Sequence, residues 1–136
     1  MPHIYNDVRK LEGKPLIGDG NCVALVQQLT DVGWTGSWRP MVRVLDAGYI
    51  RVGAVIATFD KYGRYANRPR GNHAALFLGM GPLDIKTGRP SYILVMDQWK
   101  TRAAVGARKI LPREKLKADG GIYEDSDNAE TFWVVW

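Results

Sequence analysis

A chain of 136 residues with one cysteine, Cys22, can close no disulfide within itself. Its fold must be held by burial, and a chain of this length can build a core large enough to do so. The 46% of hydrophobic residues against 24% charged is the balance of an ordinary soluble globular protein. No apolar run approaches the roughly 20 residues of a membrane-spanning helix. The first residues, Met1 to Asp7, have neither a basic leader nor an apolar stretch, so classical secretory export is not expected. Without repeats, low-complexity stretches or linkers, residues 1–136 read as one domain.

Periodicity assigns the elements. Cys22, Leu25, Val26 and Leu29 recur on one face of a helix over 21–30, with Asn21 or Asp19 to cap its start. Ser37 and Pro40 suggest a second helix over 38–46, stopped by Ala47-Gly48. Short β-branched and aromatic runs then predict strands over 54–59, 73–78, 92–99, 108–111 and 131–136, with a brief helical turn from Pro112 to Lys117. Helices early and strands late argue for an α+β fold, an antiparallel sheet packed against the first helix.

A lone cysteine is more often a small buried hydrophobe than a reagent. The setting of Cys22 argues otherwise. It follows the turn Gly18-Asp19-Gly20-Asn21 and opens the helix, where free N–H groups and the positive end of the helix dipole favour a thiolate. His73, at the start of an apolar strand, is the candidate base; His3 lies in a terminus expected to fray. An imidazole base needs a partner on its far nitrogen. Asp97, ending the apolar run Tyr92 to Met96, is the candidate, unless it simply meets Lys100 or Arg102. Strand alternation sets Gln98 on the opposite face, but a one-residue bulge would exchange the two, so Gln98 remains the runner-up.

The Cys22 backbone N–H is the natural oxyanion donor. The side chain of Asn21 is a second candidate, with helix capping as its competing role. Tyr5 reaches the site only if the terminus folds back. Trp34, Trp38 and Trp99 either line a groove or fill the core. Two separated histidines and one cysteine make no zinc set, and no phosphate loop follows a strand, so no metal or cofactor is expected.

The charge of +5 is uneven. Residues 61–70 and 100–117 carry most of the basic excess, and 118–136 carry five acids and no base. Basic segments attract polyanions, which keeps a non-enzymatic polymer-binding domain as a rival reading.

In order and spacing these residues resemble the papain-like cell-wall peptidases of the NlpC and CHAP type. There the nucleophilic cysteine opens an early helix, a glycine-led strand follows (here Val52-Gly53-Ala54-Val55-Ile56), and the next strand opens on the catalytic histidine (here His73-Ala74-Ala75-Leu76). The third polar residue falls on the strand after that, where Asp97 stands. More narrowly, Gly18-Asp19-Gly20-Asn21-Cys22-Val23, Ile56-Ala57-Thr58-Phe59, Gly63-Arg64-Tyr65, Asn72-His73-Ala74-Ala75 and Asp97-Gln98-Trp99 resemble the second family of peptidoglycan amidases that bacteria deliver into rivals by type VI secretion. Asn21 departs from the aspartate that often precedes the cysteine in NlpC enzymes.

The resemblance implies a cysteine peptidase that hydrolyses peptidoglycan stem peptides, at the D-alanyl–diaminopimelate cross-link or at the γ-D-glutamyl–diaminopimelate bond. It implies delivery to the periplasm of a target cell and a cognate immunity protein. Neither membrane insertion nor nucleic acid is expected. The same Cys, His, Asp order also occurs in transglutaminases, which pass the acyl group to an amine instead of water.

Overall fold

Asn21 starts the one α-helix among the described residues, α1 at Cys22–Leu29. The computed structural model describes residues 1–66, 68, 70–113 and 117–136. Asn21 has extended backbone and its Oδ1 accepts the Val23 N–H, as an N-cap should. Asp19 acts one step earlier, its Oδ1 accepting the Asn21 N–H at 2.9 Å. Leu25 and Val26 are fully buried and Leu29 partly so, which is the face the spacing predicts. Each fully buried side chain of this size contributes about 1.5–3 kcal/mol.

Among the described residues six strands form one sheet: β1 Pro40–Arg43, β2 Val55–Thr58, β3 Ala74–Met80, β4 Ile93–Asp97, β5 Gly106–Ile110 and β6 Phe132–Val135. Their order is β1-β6-β2-β3-β4-β5, with every neighbouring pair antiparallel. The α+β architecture expected from the order of elements is therefore present. Alternation divides the core in two. Val55, Ala57, Ala74, Leu76, Met96 and Val135 face α1, whereas Ile56, Ala75, Phe77, Ile93, Val95 and Val134 pack on the other side with Val44, Leu45 and Phe132.

The second helix does not form. Residues 38–46 instead make β1 and a 3-10 turn at Val44–Asp46, with another at Thr35–Ser37. Pro40 opens β1 at the edge of the sheet, where its missing N–H costs no ladder bond. Pairing with β6, nearly a hundred residues later, overrides the local helical pattern. The helical turn expected after Pro112 falls partly on residues 114–116, outside those described.

The N-terminus is not frayed. Ile4 bridges Ala54, the Val55 N–H donates to the His3 carbonyl at 2.8 Å, and the Tyr5 N–H donates to the Gly53 carbonyl at 3.0 Å. Gly53 permits this approach: its φ is +94°, and a Cβ there would lie 2.1 Å from the Tyr5 carbonyl oxygen.

One irregularity positions the site. Leu76 pairs with Met96 and Phe77 with Val95, but Gly79 pairs with Leu94, leaving Leu78 as an extra residue in β3. Carrying the inner register onward sets Asp97 opposite Ala75, on the face that His73 shares. A straight ladder run from the hairpin end would have set Gln98 there instead.

Candidate active site

Each half of the site is built by a different part of the fold. Gln98, fully buried, holds the segment that leads into α1. Its Oε1 accepts the Ile17 N–H at 2.7 Å, while its Nε2 donates to the carbonyls of Ile17 and Asn21, each at 2.8 Å. That clamp sets the end of α1 from which Cys22 projects. His73 is fixed by Thr58 at the end of β2: its N–H donates to Thr58 Oγ1, and its carbonyl accepts the Thr58 N–H, each at 3.0 Å. The antiparallel pairing of β2 with β3 continues through these two bonds to deliver the imidazole.

The structure brings Cys22, His73 and Asp97 together. His73 Nε2 lies 2.7 Å from Asp97 Oδ2, and His73 and Cys22 share the wall of one cleft, where the imidazole acts on the ionisation of the thiol. Nε2 being engaged by the carboxylate, Nδ1 is the ring nitrogen left for the thiol. Cys22 is only 9% exposed, yet it is not sealed. With Asn21, Asn72, His73, Trp99, Lys100 and Asp127 it lines an open cleft of about 450 Å³.

Burial pushes the Cys22 thiol up, but the hydrogen bond and charge of His73, then the Ala74 backbone N–H and the Tyr65 hydroxyl, outweigh it and leave the thiol below its ordinary value. Burial alone would lower His73, but its bonds to Asp97 and Cys22 raise it to about 9. At neutral pH the two directions together favour thiolate and imidazolium. Asp97 is fully buried, which raises its carboxyl, yet His73 and then Arg108 hold it below the usual carboxylate range.

Asp97 has more partners than a strand-end acid needs. Arg102 Nη1 approaches Oδ1 at 2.6 Å and the Asp97 carbonyl at 3.0 Å, and Arg108 Nε lies 2.7 Å from Oδ2. Both guanidiniums flank Trp99, with Cζ at 4.5 Å and 5.6 Å from its ring centroid. Gly106 pairs with Asp97 across the sheet, and a Cβ there would lie 2.6 Å from Arg102 Nη2, so the missing side chain makes room for the ion pair. Asp97 thus contacts both of the groups the sequence offered it, the His73 imidazole and the Arg102 guanidinium.

The remaining candidates fall elsewhere. Asn21 lines the cleft, but its Oδ1 is the helix cap. Gln98 faces away from His73. The terminus does fold back, but it is Tyr65, not Tyr5, whose hydroxyl lies beside the sulfur, at 3.8 Å. Of the tryptophans, Trp38 is core, Trp34 is three-quarters exposed and Trp99 borders the cleft. Arg108 carried no pattern of its own; its distance from Asp97 along a hairpin was the one available signal. Tyr65 and Asn72 were visible only as parts of family-like motifs.

Part of the basic excess meets the acidic tail at the cleft rim: Arg68 pairs with Asp125 at 2.8 Å, Arg70 with Glu124 at 2.6 Å and Arg113 with Asp127 at 3.6 Å. Such exposed pairs contribute about 0–1 kcal/mol each. Among the described residues no group of three or more His, Cys, Asp or Glu is placed to hold a metal ion, and no helix is long and apolar enough to cross a membrane.

Residues 3–135 match the family model described as domesticated amidase effector 2. The chain is 38% identical to a type VI secretion amidase effector 2 protein of Salmonella typhi, over 99% of each chain. Its structure is similar to a solved type 6 secretion amidase effector 2 (Tae2), with a TM-score of 0.79 and 36% identity, covering 97% of this chain and 92% of that one.

Proposed function

We propose, from the premise that this chain belongs to the domesticated amidase effector 2 family and has its papain-like α+β fold, that it is a cysteine amidase cutting peptidoglycan stem peptides at the D-alanyl–diaminopimelate cross-link. The observation that carries the reading is the imidazole of His73 bonded to Asp97 Oδ2 at 2.7 Å, with Cys22 beside it in the wall of one cleft.

The geometry supports these steps. His73 holds the thiol proton on Nδ1, so Cys22 meets the substrate as thiolate and attacks the amide carbonyl. The Cys22 backbone N–H, at the helix start, supports the oxyanion. Collapse breaks the C–N bond, and His73 protonates the leaving amine. His73 then takes a proton from water, which attacks the thioester and releases the acyl product. Asp97 keeps Nδ1 aimed at the sulfur and stabilises the imidazolium.

In its setting the chain, a single domain over residues 1–136, is delivered by type VI secretion. It works in the periplasm of a target bacterium and is blocked by a cognate immunity protein seated over the cleft. Digestion of purified sacculi followed by mass analysis of the fragments tests the reaction. Cross-linked dimers should fall to monomers with intact stems, and Cys22→Ala should leave them uncut. Cleavage at γ-D-glutamyl–diaminopimelate would move the bond, and unchanged sacculi would remove the amidase reading.

A further inference from the structure

Tyr65 arrives beside the sulfur by a construction that nothing about the Cys–His–Asp set requires. The turn before it is closed by Asp60, whose Oδ1 accepts the N–H groups of Tyr62 at 2.8 Å and Arg64 at 3.0 Å. A further bond from the Asp60 N–H to the Arg64 carbonyl, 2.8 Å, ties the two ends of the turn together. The chain leaves this turn at Tyr65, whose ring packs edge-on against Trp38 with centroids 4.9 Å apart. Trp38 is itself locked, fully buried, its Nε1 donating to the Gly33 carbonyl at 3.1 Å. The phenol is therefore held at both ends of its ring.

The direction of its hydroxyl proton follows from its neighbours. Between Tyr65 Oη and Cys22 Sγ, 3.8 Å apart, either atom has the chemistry to donate. Asn72 Nδ2, 3.3 Å from Oη, can only donate. Asn72 thus occupies a lone pair of Oη, and the phenolic proton is left to point at the sulfur. Asn72 also directly precedes His73, so the group that aims the tyrosine is carried by the same strand entry as the imidazole.

We propose that Tyr65 is a further catalytic residue: its hydroxyl, aimed by Asn72, donates to the Cys22 sulfur and holds it as the nucleophilic thiolate. The proposal rests on the cysteine-amidase reading above and deepens it. Tyr65 keeps its proton throughout. The thiol proton goes to His73 Nδ1, the sulfur electron pair forms the S–C bond, and the carbonyl π pair moves to oxygen. As charge leaves the sulfur the Tyr65 bond weakens, and it re-forms when the thioester is hydrolysed. Burial and the neighbouring sulfur charge push the phenol's own ionisation far above its ordinary value, which suits a donor that never lets go. Asn72 is a positioning residue that acts through Tyr65.

The test uses Tyr65→Phe, which keeps the ring on Trp38, and reads two quantities. The first is the rate of Cys22 alkylation by iodoacetamide against pH, which reports thiolate formation without any substrate. Loss of a hydrogen bond to a charged sulfur should move that profile up by about one pH unit and lower kcat for muropeptide hydrolysis about tenfold or more, with KM little changed. Asn72→Ala, with the ring packing untouched, should move the profile in the same direction by less. Added to Tyr65→Phe it should do nothing further, because its effect passes through the hydroxyl. An unmoved alkylation profile in Tyr65→Phe, or a full additional shift from Asn72→Ala in that background, would overturn the proposal. A wild-type protein that cuts no muropeptide would sink the amidase reading, and the alkylation profile would still decide the role of Tyr65.

Discussion

Asp97 and Gln98 are consecutive and equally buried, and they serve opposite faces of the sheet by different physics. Asp97 gathers charge: His73, Arg102 and Arg108 all bond to its carboxylate. Gln98 gathers backbone: it takes one N–H and gives to two carbonyls in the segment before Cys22. A carboxylate at position 98 has no proton to give those carbonyls, and an amide at 97 has no charge to balance two guanidiniums. The two neighbours thus separate charge from backbone support. Charge is concentrated beside the imidazole, and a neutral, hydrogen-bonded amide is used where a loop is fixed.

The largest expected effect removes what both residues serve. Cys22→Ala should abolish hydrolysis of sacculi with an unchanged far-UV CD spectrum, and residual turnover would show that neither half prepares a nucleophile. On the charged side, His73→Ala should lower kcat/KM by up to about 10⁴-fold, and Asp97→Ala by about a hundredfold, because an orienter is more replaceable than the base. The reverse order of severity would mean that Asp97 is not acting through His73. Asp97→Ala also strands Arg102 and Arg108, so its unfolding free energy in urea should fall by about 3–5 kcal/mol.

On the neutral side, Gln98→Ala should lower stability by about 2–4 kcal/mol through three unsatisfied backbone groups, while activity measured well below its melting temperature stays within about tenfold of wild type. A loss of activity as deep as that of Asp97→Ala would erase the distinction between the two. The smallest effect separates them by pH. The His73 imidazolium is lost as pH rises through about 9, so kcat/KM should fall on an alkaline limb there. The stability conferred by the raised His73 is likewise full below the ordinary histidine value of about 6.5 and lost on the way to that limb. Asp97→Asn should move the limb to lower pH, because the carboxylate is one cause of the shift, and Gln98→Ala should leave it in place.

What could be read from the chain depended on how local the signal was. The helix over 21–30 declares itself by its spacing and cap, and β2, β3, β4 and β6 by compact β-branched runs near the right positions. Residues 38–46 misled because Ser37 and Pro40 are good local helix-start signals, while the decisive partner, β6, lies at the far end of the chain. The trio of Cys22, His73 and Asp97 could be named from residue type and element order. Arg108 and Tyr65 could not, since each reaches the site through tertiary geometry: Arg108 across the β4–β5 pairing, Tyr65 from a turn stacked on Trp38. The His3–Asp31 contact of 2.6 Å is of the same kind, a long-range tie that no periodicity announces.

Leu78 gives the β3–β4 hairpin a spare unit of length. Because it is unmatched, deleting it would let Phe77 and Gly79 follow one another opposite Val95 and Leu94, with Asp97 still in step with Ala75. Straightening the ladder while keeping Leu78 would do the opposite and rotate Gln98 toward the imidazole. The hairpin tip beyond it is thereby insulated from the reacting groups: loop exchange between 81 and 92 need not disturb them, provided the slip at 78 continues to absorb the mismatch.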